Sequence, residues 1–512
     1  MVLLKNFTPR LYQSNILKGC IDKNCLVILP TGIGKTAIAL LLVIERLNKF
    51  KNSKALLCSP TKPLCQQHQE TFKAHTDIDK CLISLYTGLT QANKRAKIFS
   101  ENKIIIATPQ TIESDLLNNR INLNDFSVLI IDEAHRSRMK YANTMVAKKY
   151  IETAENPRIL ALTASPGNTK EKINEICSNL FIEEVEIRTD EDDDVKPYMQ
   201  KKSIEFINIE LENEIKKICD LLKIVYNDKL SYLKKIGFTK PTSLINKKDL
   251  LLLQKQFQKE LSKRNPSAFF GISLTAQLLK LSHLIELTET QGLKPLKNFL
   301  DKLKTEQTKA AKIITNTKDI LEVYKITQTL IENKVLHPKL DKLKEIIKEQ
   351  FLSNNSSKMI IFANYRDTIE ELLENIKEIE NCHPVKLIGH KKGITQKQQL
   401  ETIKNFESGL YNCIITTSIG EEGLSIGTLD IAIFYDNVPS AIRKIQREGR
   451  VARTKPGKII YLVAKNTRDS AYYWKSKRDE KTMKKTIANI KTNFEKQQSL
   501  ANFTKNESNN RL

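Results

Sequence analysis

The sequence repeats one pattern, in which a short and almost wholly apolar run precedes a stretch with helical periodicity. Parallel strands that are buried on both faces read as continuous apolar runs, and each needs a crossover connection to the next strand. The pattern therefore predicts a parallel sheet covered by helices on both faces. Five such runs lie in the first 187 residues: Cys25–Leu29, Ala55–Cys58, Ile104–Ala107, Val128–Ile131 and Ile159–Thr163.

The pattern returns after residue 337, with candidate strands at Met359–Phe362, Cys413–Thr416 and Ile431–Phe434. Between the two patterned regions Leu and Lys dominate, which favours helices. We therefore expect an α/β fold with two parallel-sheet domains and an all-helical insert between them. The expected segments are a first domain at 1–187, an acidic linker and helical insert at 188–336, a second domain at 337–484 and a C-terminal tail at 485–512, which is polar and expected to be disordered after Asn493.

Charge and composition narrow the function classes. The formal net charge is +24 and the pI about 9.4, which favours a polyanionic partner such as nucleic acid, although a lysine-rich solvated surface is the alternative. No apolar run approaches the ~20 residues of a membrane span, and the N-terminus lacks a leader pattern, so we expect a cytoplasmic, nucleoid-associated protein. The nine cysteines form no Cys-x-x-Cys pair, so no zinc site, cluster or disulfide framework is expected.

A glycine-containing loop, Pro30–Thr36, stands between an apolar run and an apolar helix. In that position, backbone N–H groups and the helix N-terminus bind phosphate oxygens. Lys35 is expected to neutralise the β- and γ-phosphates of ATP, and Thr36 to hold Mg²⁺. The strict pattern has glycine where this chain has Leu29, so an ordinary glycine turn is the alternative. The predicted nucleotide-binding residues of the loop are Thr31, Gly32, Ile33, Gly34, Lys35 and Thr36.

A pair of carboxylates follows the run Val128–Ile131. The carboxyl end of a strand in such a sheet lies beside the phosphate loop. We expect Asp132 to hold Mg²⁺ and Glu133 to orient and deprotonate the attacking water. An acidic helix start is the alternative for the pair alone. Together with the phosphate loop, the pair predicts hydrolysis of a nucleoside triphosphate.

The order of three motifs resembles superfamily 2 helicases: Asp132-Glu133-Ala134-His135, Thr163-Ala164-Ser165 and Gln446–Arg453. The resemblance implies two RecA-like domains that hydrolyse ATP in the cleft between them. It also implies catalytic roles for the last motif, through Gln446, Arg450 and Arg453. Arginines supplied by the far domain would stabilise the transferring phosphoryl group and make hydrolysis depend on domain closure.

The segment upstream of the loop, Pro9–Gln13, resembles the adenine-reading segment of the same family. Gln13 has both a donor and an acceptor for an adenine edge, and Arg10 would help to position it. The alternative is an ordinary surface helix start.

Several strand ends carry hydroxyl or cationic residues that resemble the family's contacts to the phosphodiester backbone. Such contacts position a strand and carry little sequence information, so weak sequence specificity and strong salt dependence are expected. Taken singly, each segment is an ordinary turn. The predicted nucleic-acid residues are Thr61, Lys62, Thr108, Tyr365, Arg366 and Thr416.

A narrower resemblance covers residues 5–484. The segments that resemble archaeal Hef helicases and the Fanconi anaemia M-type translocases are Leu29–Gly32, Ser59–Leu64, Asn364–Thr368, Pro439–Arg443 and Thr467–Asp469 with Tyr472–Trp474. The resemblance implies 3′-to-5′ movement on forked or branched DNA in replication and repair. Relatives usually carry Asp where this chain has Ser425, which puts nucleotide coupling in question. The Glu-Arg-Lys nuclease motif of many relatives is missing, so the chain is not expected to cut DNA.

The tail offers a partner motif. Gln497, Leu500 and Phe503 resemble a sliding-clamp peptide whose apolar pair would share one face of a helical turn. A polar tail without this function is the alternative.

Two other functions fit parts of the sequence. RNA-sensing and Dicer helicases share this layout, which makes an ATPase activated by double-stranded RNA the main alternative to a DNA motor. A non-catalytic DNA-binding scaffold is the second. Intact Lys35, Asp132, Glu133, Arg450 and Arg453 weigh against the scaffold.

Overall fold

The computed structural model describes residues 1–509 apart from 140, 236–237, 239, 241–244, 262–265, 390–394, 418–425, 428 and 452–454; the side chains of 235, 266–267, 396 and 492–509 are not described either. The chain forms two parallel sheets, and most of the segment that joins them is a helical bundle. This confirms the predicted α/β fold class with a helical insert.

The first domain is built on a seven-stranded parallel sheet with the order β3-β4-β2-β5-β6-β1-β7. All five apolar runs predicted as strands are strands, and all lie inside the sheet. Its strands are β1 (Cys25–Ile28), β2 (Lys54–Cys58), β3 (Ile83–Tyr86), β4 (Ile104–Ala107), β5 (Phe126–Ile131), β6 (Ile159–Thr163) and β7 (Glu184–Ile187). Its helices are α1 (Leu11–Ile21), α2 (Lys35–Lys49), α3 (Lys62–His75), α4 (Ala92–Glu101), α5 (Pro109–Leu117), α6 (Ala142–Thr153) and α7 (Lys170–Asn179).

The insert consists of helices in its described part. They are α8 (Asn213–Lys235), α9 (Lys247–Leu261), α10 (Pro266–Thr290), α11 (Leu293–Thr305), α12 (Lys309–Thr315) and α13 (Lys318–Glu332). Within α10, Ala268–Thr290 contains an 18-residue stretch with a mean hydropathy of 1.3, and by length and composition the helix could cross a membrane, contrary to the sequence expectation. Because 56% of that stretch is buried and it packs against α8 and α9, it serves as the core helix of the bundle.

The second domain has a six-stranded parallel sheet with the order β10-β11-β9-β12-β13-β8. Its strands are β8 (Lys202–Ile209), β9 (Met359–Phe362), β10 (Pro384–Leu387), β11 (Cys413–Thr416), β12 (Ile431–Phe434) and β13 (Gly457–Ala464). Its helices are α14 (Pro338–Ser353), α15 (Arg366–Ile376), α16 (Gln396–Glu407), α17 (Ala441–Glu448) and α18 (Arg468–Asn509).

Strand β8 corrects the expected boundary between linker and insert. It lies within the segment 188–336 that the sequence predicts to be linker and helix, yet it pairs with β13 along its whole length. An edge strand needs no continuous apolar run because one side faces solvent. Five of its eight residues are exposed, which is why its pattern differs from that of the buried strands.

The acidic run also differs from expectation. Asp192 accepts hydrogen bonds from the backbone N–H and hydroxyl of Thr189, and Asp194 accepts one from Arg188 at 3.1 Å. Lys491 of α18 donates to Asp192 at 2.5 Å. The run is therefore a folded turn with charge partners, not a solvated linker.

The expected tail is part of one long helix. α18 continues past residue 485, and its Met483, Ile487 and Ile490 are buried in the core of the first domain. Their spacing of four and three residues places them on one helix face. The many lysines around them make this apolar face hard to recognise in the sequence. The helix thus joins the two sheet domains.

Candidate active site

The loop between β1 and α2 has the backbone of a phosphate site. Gly32 and Gly34 adopt φ values of +83° and +87°, which glycine reaches without strain. A Cβ at Gly34 would also lie 2.9 Å from the side-chain nitrogen of Gln13. The loop enters a helix of 15 residues, so backbone N–H groups and the helix dipole both favour an anion there.

Lys35 begins helix α2, and its Nζ donates to the carbonyl oxygens of Leu29 at 3.4 Å and Pro30 at 3.3 Å. The side chain therefore folds back over the loop, where phosphate oxygens would replace those carbonyls as partners. Leucine at position 29 does not disturb the loop, because it lies buried in the core with 0% exposure. Thr36 follows in the first turn of the helix, half-buried.

Asp132 lies at the end of β5 and is held from three directions. Its Oδ1 accepts the N–H of Glu133 at 2.9 Å, and its Oδ2 accepts from His68 Nε2 at 2.9 Å and Ser59 Oγ at 3.3 Å. Burial opposes ionisation, but the His68 hydrogen bond and the Lys35 charge outweigh it and lower the pKa of Asp132. An ionised carboxylate is the kind of oxygen donor that suits Mg²⁺.

Glu133 is linked to the motif on β6 through His135. Glu133 adopts a left-handed backbone with φ +50°, uncommon outside glycine and typical of strained functional positions. His135 Nδ1 lies 3.3 Å from Glu133 Oε2 and 3.2 Å from Thr163 Oγ1. Thr163 Oγ1 in turn accepts the backbone N–H of Ser165 at 3.1 Å. His135 therefore connects the end of β6 to the Glu133 carboxylate, which is expected to activate water.

Of the residues predicted to read adenine, Gln13 contacts the backbone of the phosphate loop. Gln13 is buried, and its Nε2 donates to Ile33 O at 3.5 Å and Gly34 O at 3.4 Å. The neighbouring Tyr12, which the sequence does not single out, donates its hydroxyl to Ile33 O. Arg10 stacks over the ring of Tyr198 at 4.5 Å, so that ring orients the guanidinium.

The second domain faces the loop through α17 and the turn after it. Gln446 and Arg450 are buried at 7% exposure, while Arg453 lies outside the described residues. Gly449 approaches the loop so closely that a Cβ there would lie 2.3 Å from Thr31 Oγ1. The two motifs predicted to form one catalytic site are therefore in contact across the cleft.

Arg447, which no motif role singled out, anchors α17. Its guanidinium donates to Asp436 O at 2.8 Å and Asn364 Oδ1 at 3.0 Å, and it has 0% exposure. It also lies 4.9 Å from the centroid of the Phe362 ring. These contacts fix the helix that carries Gln446 and leads to Arg450.

The predicted nucleic-acid residues of the first domain lie at two helix starts. Thr61 precedes α3, and its Oγ1 is buried without a hydrogen-bond partner among the described atoms. Lys62 is the first residue of that helix. Thr108 precedes α5, with its hydroxyl 2.7 Å from that of Thr111. Helix starts present N–H groups, which suit backbone phosphates.

In the second domain the predicted residues are more enclosed. Burial and the nearby Glu286 carboxylate raise the pKa of Tyr365, whose ring lies 5.3 Å from that of His283 in the insert. Arg366 donates to Gly389 O at 3.0 Å. Thr416 has 0% exposure and donates its hydroxyl to Leu387 O at 2.8 Å, so in this structure its side chain does not reach the surface. Ser425 lies outside the described residues.

His68 is a further residue of this site that sequence reasoning missed, beside Tyr12 and Arg447. It lies two helical turns into α3, and nothing in its sequence neighbourhood marks it as a partner of Asp132. Only the pairing of β2 with β5, which places the start of α3 beside the end of β5, brings the two side chains together.

Three protein families match parts of the chain. The DEAD/DEAH box helicase family matches residues 10–173 and the helicase conserved C-terminal domain family matches residues 338–455. The helical bundle of a provisionally named ATP-dependent RNA helicase matches residues 214–360. The matches follow the first domain, the second domain and the insert.

The crystal structure of the Hef helicase domain of Pyrococcus furiosus is 40% identical and covers 91% of this chain and 98% of that one, with a TM-score of 0.70. A Methanocaldococcus jannaschii protein provisionally named as an ATP-dependent RNA helicase is 39% identical over 95% of this chain. ATP-dependent DNA helicase fml1 of Schizosaccharomyces pombe and the mouse Fanconi anemia group M protein homolog are 32% and 30% identical, each over 94% of this chain. The chain spans 61%, 60% and 26% of the lengths of these three relatives.

Proposed function

The chain belongs to the Hef family of helicases, and from that premise we propose that it is an ATP-driven DNA helicase or translocase. The observation that carries the proposal is the contact of Gly449 with Thr31 across the cleft. Because each domain supplies part of the site, ATP hydrolysis and domain closure are coupled. Repeated closure and opening then move the protein along a strand.

The residues divide the work of hydrolysis. The loop and Lys35 bind the phosphates of ATP, and Gln13 with Arg10 positions the adenine end. Thr36 and Asp132 are the residues that would hold Mg²⁺, which when bound neutralises phosphate charge. Glu133 accepts a proton from the attacking water, while Arg450 and Arg453 stabilise the charge on the transferring phosphoryl group.

DNA is the proposed track, and forked or branched DNA the proposed substrate. The support is the set of DNA helicases and Fanconi anaemia relatives, the +24 net charge and the helix starts at Thr61 and Thr108. We propose 3′-to-5′ movement during replication and repair, in the cytoplasm at the nucleoid. The tail residues Gln497, Leu500 and Phe503 remain a proposed sliding-clamp motif, and their side chains lie outside the described residues.

Duplex RNA is the second candidate activator. The names of the M. jannaschii relative and of the helical-bundle family favour it, since both refer to RNA helicases. The two functions predict different activators for the same ATPase.

Steady-state ATPase activity of the purified chain separates them, measured with forked DNA, single-stranded DNA and duplex RNA. We expect the greatest stimulation with forked DNA and none in a Lys35→Ala variant, because that variant lacks the phosphate-binding cation. Stimulation by duplex RNA alone would replace the DNA proposal with the RNA one. Equal activity in wild type and Lys35→Ala would reject both.

A further inference from the structure

Strand β8 leaves an apolar edge open to solvent. It is the outermost strand of the second sheet, and in the described part of the chain only β13 pairs with it. Ile204 is 48% and Phe206 42% exposed. Proteins normally protect sheet edges with charge, proline or a covering element, because free N–H and C=O groups recruit further strands. An edge with two large exposed apolar side chains is therefore a surface that fits a partner.

An aromatic groove adjoins this edge. The Phe206 ring stacks on Tyr461 with centroids 5.1 Å apart and lies 4.9 Å from Tyr473. Trp474 continues the row and is 56% exposed. The cavity beside these rings has a volume of about 390 Å³, and Lys477 also lines it. A groove of this kind accepts one large apolar side chain as an anchor.

The rim of the groove is basic. Lys477, Arg478, Lys481 and Lys485 are exposed and follow Trp474 at spacings of three and four residues, so they form one stripe on α18. Among the described residues, none of these four cations has a carboxylate within 4 Å. Glu480, which lies between Arg478 and Lys481 in sequence, accepts a hydrogen bond from Lys444 at 2.7 Å. Within the part of the chain that the structure describes, the stripe therefore has no ion-pair partner.

We propose that β8, the Phe206–Trp474 groove and the basic stripe of α18 together bind an extended acidic peptide segment of a partner protein. The peptide adds a strand to β8, places one aromatic or large aliphatic side chain in the groove, and sets its carboxylates against the stripe. Backbone pairing supplies affinity, while groove and stripe supply specificity. Nucleic acid fits less well, because bases would use the rings but leave the strand edge unpaired. The surface includes no residue of the proposed ATP site.

The test selects peptides from a random displayed library on the full chain and measures them by fluorescence anisotropy. We expect enriched peptides with several acidic residues around one apolar anchor, which protect residues 202–209 from hydrogen exchange. Trp474→Ala should weaken their binding roughly tenfold, and Lys477→Glu combined with Lys481→Glu should weaken it in a salt-dependent way. Leu352→Ala, which removes an apolar side chain 84% exposed on α14, is the matched control and should leave binding unchanged.

Each other outcome overturns the proposal. If no acidic consensus is enriched, or enriched peptides bind Trp474→Ala as tightly as wild type, the surface is not a peptide site. If oligothymidine instead protects residues 202–209 and loses affinity in Trp474→Ala, the surface is a nucleic-acid platform. Unchanged basal ATPase activity in Trp474→Ala shows that the variant is folded and keeps this test separate from that of the proposed motor.

Discussion

Gly449 and Thr31 meet across the cleft with no room for one more carbon atom. A Cβ on Gly449 would lie 2.3 Å from Thr31 Oγ1 and 2.6 Å from Thr31 Cβ. Gly449 has an ordinary helical backbone with φ −71°, so alanine would meet no backbone strain there. The three described atoms nearest to such a side chain all belong to Thr31 of the opposite domain.

Gly449→Ala should therefore hold the cleft open. Displacing reacting groups by about 1 Å costs roughly 10²-fold in rate, so we expect kcat to fall by that order. Binding of a fluorescent ATP analogue should change much less, because the phosphate loop belongs wholly to the first domain. Steady-state ATPase kinetics and fluorescence titration give the two numbers.

A second substitution checks the steric cause. Thr31→Gly removes all three atoms near the added methyl group, so it should restore part of the loss when combined with Gly449→Ala. The coupling is read from the four rates of the double-mutant cycle. Additive losses would mean that the contact does not limit closure.

His68 should position the carboxylate of Asp132. His68→Leu removes a charge-assisted hydrogen bond at 2.9 Å, and we expect the Mg²⁺ concentration needed for tight nucleotide binding to rise roughly tenfold. His68→Gln keeps a donor at a similar reach and should recover most of the effect. Titrating Mg²⁺ against fluorescent nucleotide measures this without hydrolysis. Equal Mg²⁺ dependence in wild type and His68→Leu would show that His68 only fills space.

The sequence predicts the interior of the fold better than its edges. The apolar runs identify β1, β2, β4, β5 and β6, whose faces are both covered. The edge strands β3 and β7 are not predicted from apolar runs, because only their first and last residues are fully buried. Strand β8 is missed for the same physical reason, since it is also a partly exposed edge strand. Strand β13 is missed because its apolar run was not recognised.

The candidate site shows the same division. The phosphate loop, Asp132 and Glu133 can be recognised in the sequence, because phosphate chemistry requires those residue types at that spacing. His68 and Tyr12 act through contacts that depend on strand order and helix packing, which local pattern does not reveal. A motif match also says nothing about whether a side chain reaches the surface: the hydroxyl of Thr416 is buried against Leu387 O, and its contact to nucleic acid stays a prediction.

Glu371 should make stability depend on pH. Burial raises its pKa to about 7, above about 4.3 for an unfolded glutamate. The folded state then binds the extra proton between those values, so wild-type stability falls as pH rises from about 4.3 to 7. Glu371→Gln removes this cost, and we expect it to stabilise the domain by roughly 3 kcal/mol at pH 8 but little at pH 4.5.

Guanidinium unfolding at several pH values measures this effect. Glu374→Gln is the matched control, because Glu374 lies on the same helix but is exposed and paired with Lys294 at 2.7 Å. That variant should lack the stabilisation at high pH. A pH profile of Glu371→Gln parallel to wild type would contradict the assignment.

Helix α18 should hold the two domains near each other. Ile487 is 7% exposed within the first domain's core, although its helix begins in the second domain. Ile487→Glu would bury an unpaired charge, so the helix should detach and the effective concentration of one domain near the other should fall. We expect a roughly tenfold loss in kcat/KM for ATP. Asn489→Glu is the matched control, because Asn489 is exposed two residues further along the helix, and it should leave kcat/KM unchanged. Equal losses in both variants would show that the added negative charge, and not the loss of a buried side chain, lowers kcat/KM.

The central claim is that the second domain completes the site in which the first domain binds ATP. Single-turnover hydrolysis by Arg450→Ala, beside its affinity for a fluorescent ATP analogue, tests that claim most directly. We predict near-normal affinity and a hydrolysis rate lower by about 10³-fold or more, since an arginine at the transferring phosphoryl group is worth roughly 10³–10⁵ in rate. Hydrolysis within about twofold of wild type would contradict the claim and assign the chemistry to the first domain alone.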